Sequence, residues 1–261
     1  MGINPFTSIS LNTIDEFMLH PLEEKIEIAD KVIRKALEIS KKPAIAFSGG
    51  KYSTVVLSMV LKYKPDIIVL FNNTGVEFPE TVKFVHKLAK EWKLNFYEIR
   101  PKTTFWKIVE EHGPPSHQRW RVKEPMCCYL LKTKPSCQFY RKMRIDLVFT
   151  GISAYESRVR KLSTSQRGLL YQAKNLGHYK FSKPIWRANP LGLWTDDDVW
   201  EYIKRFNIPV NPVYQKYNIL RTGCLPCTGF KGWEKEMQKI SPKLYELMMK
   251  MKKQSLLSDF V

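Results

Sequence analysis

A short apolar run, Ala44-Ile45-Ala46-Phe47, stops at Ser48-Gly49-Gly50, and beyond that loop Val55, Val56, Met59, Val60 and Tyr63 recur at helical spacing. Strand, glycine loop and helix in that order make a βα unit. The unit is then repeated: Ile67 to Phe71 reads as a second strand, Asn72 to Pro79 as a polar turn, and Glu80 to Trp92 as a helix. A third strand is expected near Asn95 to Ile99, and a fourth at Ile145 to Thr150, closed by Gly151. Strands alternating with helices predict an α/β fold, an open parallel sheet with helices on both faces. Right-handed crossovers then gather the loops that follow the strands at one sheet edge, where such folds bind ligands.

Flanking segments complete the expected organisation. Leu22 to Ser40 reads as an amphipathic cover helix with Ile26, Ala29, Ile33 and Leu37 on one face, so residues 1–42 form an N-terminal helical extension. The α/β domain spans 43–185. Residues 186–261 form a C-terminal helical segment, including a helix over 195–205 capped by Thr195 with Asp196, Asp197 and Asp198 in its first turn. The tail, Trp233 to Lys253, alternates Met and Leu with Lys and is expected to be helical, packing on its own core or on a second copy in a homodimer.

With 44% hydrophobic residues, 13% aromatic, the chain of 261 residues can build a core, which excludes a disordered polyelectrolyte. Its formal net charge of +18 favours polyanionic or phosphorylated partners, nucleic acid among them. No apolar run approaches ~18–20 residues, so no membrane span is expected. The first residues show no secretory leader, which predicts a cytoplasmic location. In a reducing compartment the five cysteines point to metal or redox chemistry rather than to disulfides.

In Ser48-Gly49-Gly50-Lys51-Tyr52-Ser53-Thr54 the glycines allow a sharp turn, so that successive N–H groups can surround a phosphate at a helix N-terminus. Ser48, Ser53 and Thr54 add hydroxyls and Lys51 a cation. The loop matches neither G-x-x-x-x-G-K-[ST] nor G-x-G-x-x-G, and alone it also reads as a plain turn. At the same sheet edge stands Asn73-Thr74-Gly75-Val76-Glu77-Phe78-Pro79-Glu80-Thr81. Together the two segments resemble the PP-loop, adenine nucleotide alpha hydrolase-like superfamily, whose loop reads S-G-G-x-D-S. Within it they resemble the phosphoadenylylsulfate (PAPS) reductase family, with its T-G-x-x-F-P-E-T turn. Gly151-Ile152, Glu156-Ser157 and Arg160 resemble the family's G-I-R-x-x-E-S-x-x-R segment, with Ser153 in place of the first Arg. Pro190-Leu191 and Trp194 to Trp200 resemble its P-L-x-x-W-T-x-x-D-V-W segment.

The resemblance implies an adenine-nucleotide site, for ATP or for adenylylsulfate (APS) or PAPS, at Ser48, Gly49, Gly50, Lys51, Tyr52, Ser53 and Thr54. Asn73, Thr74, Gly75, Gly151, Glu156 and Arg160 are its implied neighbours. Tyr52 departs from the pattern, because the family has an Asp there that can help to organise magnesium and a leaving pyrophosphate. A phenol is uncharged at neutral pH and cannot do this, so Tyr52→Asp is expected to raise nucleotide turnover.

Cys127-Cys128 and Cys224-Leu225-Pro226-Cys227 form a pair of pairs. Thiolates favour zinc or iron–sulfur centres, and adjacent cysteines are unusual for zinc fingers, which space their ligands. A zinc site and free core thiols remain alternatives. The set resembles the [4Fe–4S] arrangement of APS reductases and of the DndC-like and SspD-like proteins of DNA phosphorothioation. Cys137 lies among basic residues that could lower its pKa and make it reactive. Further bases precede the paired cysteines (His117, Arg119, Arg121 and Lys123) and follow them (Lys132, Lys134, Arg141, Lys142 and Arg144), with Arg158, Lys161 and Arg167 beyond. They suit a phosphate or sulfate, or a nucleic-acid stripe with Trp120 and Tyr155 as stacking surfaces.

Reductases of the resembling family attack with a thiol in a C-terminal E-C-G-L-H segment, and no cysteine follows Cys227 here. The expectation is therefore an ATP-using sulfurtransferase that adenylates a nucleic-acid group and inserts sulfur, with Lys51 and Ser53 acting on the nucleotide. Its sulfur would be delivered through the cluster or by a cysteine desulfurase, and a thioredoxin-like thiol donor is a further expected partner. An APS or PAPS reductase using Cys137 is the first alternative, and a nucleotide- or DNA-binding subunit without catalysis the second.

Overall fold

The computed structural model describes residues 3–115 and 124–258. His117, Arg119, Trp120, Arg121 and Lys123 lie outside the described residues. After α1 (Leu11–Phe17) and α2 (Leu22–Ile39) come β1 (Pro43–Ala46), α3 (Lys51–Leu61), β2 (Ile68–Asn72), α4 (Pro79–Glu91) and β3 (Asn95–Ile99). The chain continues through α5 (Phe105–His112), the short α6 (Met126–Cys128), a π-turn at Tyr129–Thr133, α7 (Lys134–Met143) and β4 (Leu147–Phe149). A 3-10 turn (Ala154–Glu156) leads into α8 (Arg158–Arg167), then β5 (Leu170–Leu176) and β6 (Tyr179–Ala188). The last helices are α9 (Asp196–Arg205), α10 (Val213–Tyr217), α11 (Trp233–Ile240) and α12 (Pro242–Ser258).

The six strands lie in the order β3-β2-β1-β4-β6-β5. Five are mutually parallel, and the edge strand β5 runs antiparallel to β6. This hairpin is absent from the expectation of four strands. It carries the sheet through residue 185, where the sequence texture changes. The tail breaks into two helices at Ser241, whose N–H is held by the Met237 carbonyl.

Alternation along the strands sorts the core into two layers. Ile45 and Phe47, Val69 and Phe71, and Leu147 and Phe149 pack with Ala29, Val32, Ile33 and Ala36 of α2 and with the apolar faces of α3, α4 and α9. Ala44, Ile68, Leu70, Val148 and Ile185 face the other way, onto Cys137 and Tyr140 of α7. The chain leaves β1 toward β2 on one side and returns as β4 on the other. The loops after β1 and β4 therefore meet at the point where the strand order reverses, which is where open α/β sheets have their ligand crevice.

The flank is tied down by one buried charge pair. Lys25 on α2 is 1% exposed, and its Nζ donates to Asp198 Oδ2 at 2.7 Å, Asp198 Oδ1 at 2.9 Å and the Met18 carbonyl at 3.0 Å. Asp198 also closes the capping box of α9 by accepting from the Thr195 N–H and hydroxyl, as the Thr195 cap led one to expect.

Candidate functional site

The loop after β1 is held in shape by its own hydroxyls and by the segments behind it. Gly50 caps α3, and its carbonyl accepts from the hydroxyls of Ser53 at 2.9 Å and Thr54 at 3.0 Å. Ser48 and Ser53 share a contact between hydroxyls at 3.1 Å. Gly49 has φ +73, and a Cβ there would stand 2.7 Å from Val85 Cγ2, so only glycine fits. Asn211 donates to the Gly49 carbonyl, and the Lys51 N–H donates to the Tyr214 hydroxyl. Gly151, after β4, lets the two loops touch: a Cβ at this position would be 2.7 Å from Ser53 N.

In front of the loop opens a cavity of about 360 Å³. Ala46, Phe47 and Ser48 from β1 and its loop border it on one side, with Leu70, Phe71 and Asn72 from β2. Cys127, Cys128, Cys224 and Cys227 all line the same cavity, and Arg160, Lys132 and Arg221 stand among them. The structure thus brings the two halves of the cysteine pattern to one cavity, which Ser48 of the glycine loop also lines.

The Asn73–Pro79 turn positions the Cys224–Cys227 segment rather than facing the cavity along its length. Glu77 and Cys224 form an antiparallel bridge, and the Leu225 N–H donates to the Val76 carbonyl at 2.8 Å. Thr74 donates its N–H and hydroxyl to the Glu77 carboxylate, and its hydroxyl lies 3.8 Å from Cys224 Sγ. Asn73 donates to Glu98 and accepts from the Gly75 N–H. Only Glu77 and Thr81 of this motif reach the cavity wall.

Lys51 and Tyr52 turn away from it. Lys51 is 5% exposed; its ammonium donates to the Leu220 carbonyl at 2.7 Å and Asp196 at 3.1 Å, above the faces of Trp200 and Tyr214. The Tyr52 hydroxyl donates to the same Asp196 carboxylate at 2.8 Å. Burial, then that bond and charge, push its pKa well above the usual phenol value, so Tyr52 stays neutral. Neither side chain lines the cavity. Glu156 closes the capping box of Ser153 and pairs with Arg160, whose side chain does reach it.

Cys137 is fully buried among Ala44, Ile68, Leu70 and Val148, and burial pushes its thiol up to about 12. The basic neighbours in its sequence point elsewhere, because α7 turns this one residue inward; the low-pKa expectation is corrected. Among the cavity thiols, a hydrogen bond with Cys127 and the charges of Lys132 and Arg221 lower Cys128 to about 7, against burial. Cys127 is raised by the same bond and by burial, and Cys227 by burial. Burial alone would push Lys132 down, but Cys224, Glu77 and Cys128 hold it above its ordinary value. Four soft donors beside two cations form a set whose charge suits an iron–sulfur centre. Among the described residues, no three Cys, His, Asp or Glu side chains converge closely enough to hold a single metal ion.

Asn72, Ser136, Tyr140, Arg221 and Thr222 also line the cavity and were not singled out by sequence. Arg221 and Thr222 had a readable signal, their nearness to Cys224. Ser136 and Tyr140 had none, since they arrive through the packing of α7 on the sheet. No described helix is long and apolar enough to cross a membrane.

Residues 42–230 match the phosphoadenosine phosphosulfate reductase domain. The chain is 33% identical over 220 residues to an uncharacterized protein of Methanocaldococcus jannaschii, covering 82% of this chain and 42% of that one. A second protein of that organism is 29% identical and is 49% covered, so the chain spans less than half the length of these two relatives. Similarity to the adenosine 5′-phosphosulfate reductase of Staphylococcus epidermidis runs at 26% over 230 residues, covering 85% of this chain and 87% of the enzyme. The fold is shared with the crystal structure of a phosphoadenylyl-sulfate reductase from Candida auris in its phosphate complex, with TM-score 0.55, 21% identity and coverage of 83% and 96%. It is shared too with the FMN adenylyltransferase of Candida glabrata, with TM-score 0.56, 13% identity and coverage of 82% and 68%.

Proposed function

As the chain belongs to the phosphoadenosine phosphosulfate reductase domain family, we propose that it is an adenine-nucleotide-using sulfur-transfer enzyme acting on nucleic acid. The observation that carries this reading is one cavity lined both by Ser48 of the glycine loop and by the four cysteines. A nucleotide bound there has its phosphoryl end at the N-terminus of α3, where N–H groups and the Ser48 hydroxyl favour anions. Arg160 and Arg221 add fixed positive charge at the same cavity.

Cys127, Cys128, Cys224 and Cys227 would hold a [4Fe–4S] cluster, which when bound supplies an electron- and sulfur-handling centre. In the sulfurtransferase reading, an acceptor oxygen attacks the α-phosphorus of ATP, pyrophosphate leaves, and sulfur then displaces AMP from the adenylated acceptor. The chain's own residues orient the triphosphate and neutralise its charge. Tyr52, neutral and committed to Asp196, contributes no carboxylate to a magnesium ion. The net charge of +18 suits a polyanionic acceptor, and the sulfur would be supplied by a cysteine desulfurase, with a thioredoxin-like thiol protein as reductant.

The named APS reductases among the relatives favour a second reading, release of sulfite from APS or PAPS. The buried Cys137 does not serve it as a nucleophile, so a thiol of the cavity or of a donor protein would have to attack. Anaerobically reconstituted protein, offered ATP, APS and PAPS separately with a dithiol, separates the two. Pyrophosphate from ATP that rises with added DNA or RNA supports sulfur insertion. Sulfite from APS or PAPS, with no pyrophosphate from ATP, rejects it for the reductase.

A further inference from the structure

Beside the main cavity lies a second chamber of about 170 Å³, bordered with it by Ala46, Lys132, Ser136 and Tyr140. Its far wall is the sheet, where Val148 and Thr150 stand next to Ile185 and Arg187. Ile185 and Arg187, two apart on β6, share one face.

Arg187 is 8% exposed, and its Nε is buried with no hydrogen-bond partner. A guanidinium keeps its proton at any working pH. Burying one without an anion is strongly unfavourable, so structures pair such groups. Here the chamber is lined by two cations, Arg187 and Lys132, by the hydroxyls of Ser136 and Tyr140, and by no carboxylate, while the Thr133 and Thr150 hydroxyls on its wall already donate to Glu124 and Asn189. Its remaining walls are aliphatic, which strengthens a charged contact made inside.

We propose that Arg187 forms an oxyanion subsite, which takes a tetrahedral phosphate or sulfate group next to the nucleotide cavity. The planar fork of the guanidinium fits two oxygens of such a group, and the Tyr140 hydroxyl offers a donor to a third. The ion is either free or carried on a nucleotide that also fills the main cavity. The subsite requires only the chamber, so it stands or falls separately from the reaction proposed above.

The test titrates inorganic phosphate, AMP and adenosine 3′,5′-bisphosphate separately onto the full chain by calorimetry, with unfolding midpoints in parallel. Wild type is compared with Arg187→Gln and Arg187→Lys. Phosphate is expected to raise the wild-type midpoint, and Arg187→Gln to weaken phosphate binding about tenfold or more, the loss typical of a charge-assisted bond. Arg187→Lys keeps the charge without the fork and should fall between. If the bisphosphate binds wild type more tightly than AMP does and loses that advantage in Arg187→Gln, the group is borne on a nucleotide. If AMP and the bisphosphate bind alike while phosphate alone depends on Arg187, the ion is free. Phosphate affinity unchanged in a folded Arg187→Gln overturns the subsite; should that variant not fold, unchanged affinity in Arg187→Lys overturns it equally. Failure of AMP to bind, with phosphate still dependent on Arg187, rejects the nucleotide reading and leaves the subsite standing.

Discussion

Gly151→Ala tests whether the loop after β4 sets the shape of the nucleotide loop. The added Cβ would stand 2.7 Å from Ser53 N, 2.8 Å from the Tyr52 carbonyl carbon and 3.0 Å from Ser53 Cα. All three are backbone atoms of the first turn of α3 and cannot rotate aside. Relaxing the shortest contact to about 3.5 Å moves one segment against the other by ~0.8 Å. Overpacking of that kind costs about 1–3 kcal/mol, and here the displaced atoms belong to the loop proposed to hold phosphate. Stability should fall by that amount in urea titrations at pH 7, and the Kd for ATP should weaken about tenfold. Gly75→Ala is the control: φ is +82 and a Cβ meets nothing within 4 Å. It should cost ~1–2 kcal/mol of backbone strain alone, with nucleotide affinity unchanged. Wild-type stability and affinity in Gly151→Ala would refute the reasoning, as would equal losses of affinity in both variants.

The remaining expectations concern the scaffold and the excluded thiol. Lys25→Ala strands the Asp198 carboxylate, and urea titration should show a loss of about 3–5 kcal/mol. Asp146→Ala removes the acceptor of the Ser40 hydroxyl and of the Lys41 and Lys42 N–H groups and should cost ~1 kcal/mol, because the group is partly exposed. Burial opposes ionisation of Asp146, but these bonds hold its folded pKa below the ordinary value. Its contribution is therefore fully present above the unfolded pKa of ~3.9 and disappears as pH falls through the folded value. The gap between wild type and Asp146→Ala should close accordingly in acid titrations. Cys137→Ala should cost ~1–2 kcal/mol and leave product formation in the anaerobic assay as in wild type.

Much of the sheet was legible because its central strands are short apolar runs with punctuating glycines. Ala44 to Phe47 before Ser48-Gly49-Gly50 is a local signal, and so is Thr195 three residues before Asp198. The β5–β6 hairpin escaped because its outer half is polar: Lys174, Lys180 and Lys183 face solvent, and Pro184 reads as a strand breaker. Tyr179 and Phe181 are only partly buried, and the buried residues of β6 begin at Ile185, beside β4.

At the site, residue types were legible and partners were not. The four cysteines of the pair of pairs line one cavity, although among the described residues no three Cys, His, Asp or Glu side chains converge on a single ion. Lys51 beside a glycine loop reads as a phosphate ligand, but Asp196 and Leu220, distant in sequence, claim its ammonium. Tyr52 reads as a lost acid, and the structure adds that its hydroxyl is bonded to a carboxylate from α9. Asn73 and Thr74 read as nucleotide neighbours, but neither lines the cavity: Thr74 stands against Glu77 and Cys224, and Asn73 bonds Glu98 and the Gly75 N–H. Such assignments depend on which surfaces meet after folding, and no local pattern encodes them.

The measurement closest to the central claim is the visible absorption spectrum of anaerobically reconstituted protein, recorded as ATP is added. If the nucleotide loop and the four cysteines share one cavity, saturating ATP should shift the bands of the bound centre, and Gly151→Ala should need more ATP for the same shift. ATP that binds, shown by calorimetry on the same sample, but leaves the spectrum unchanged would contradict a shared site.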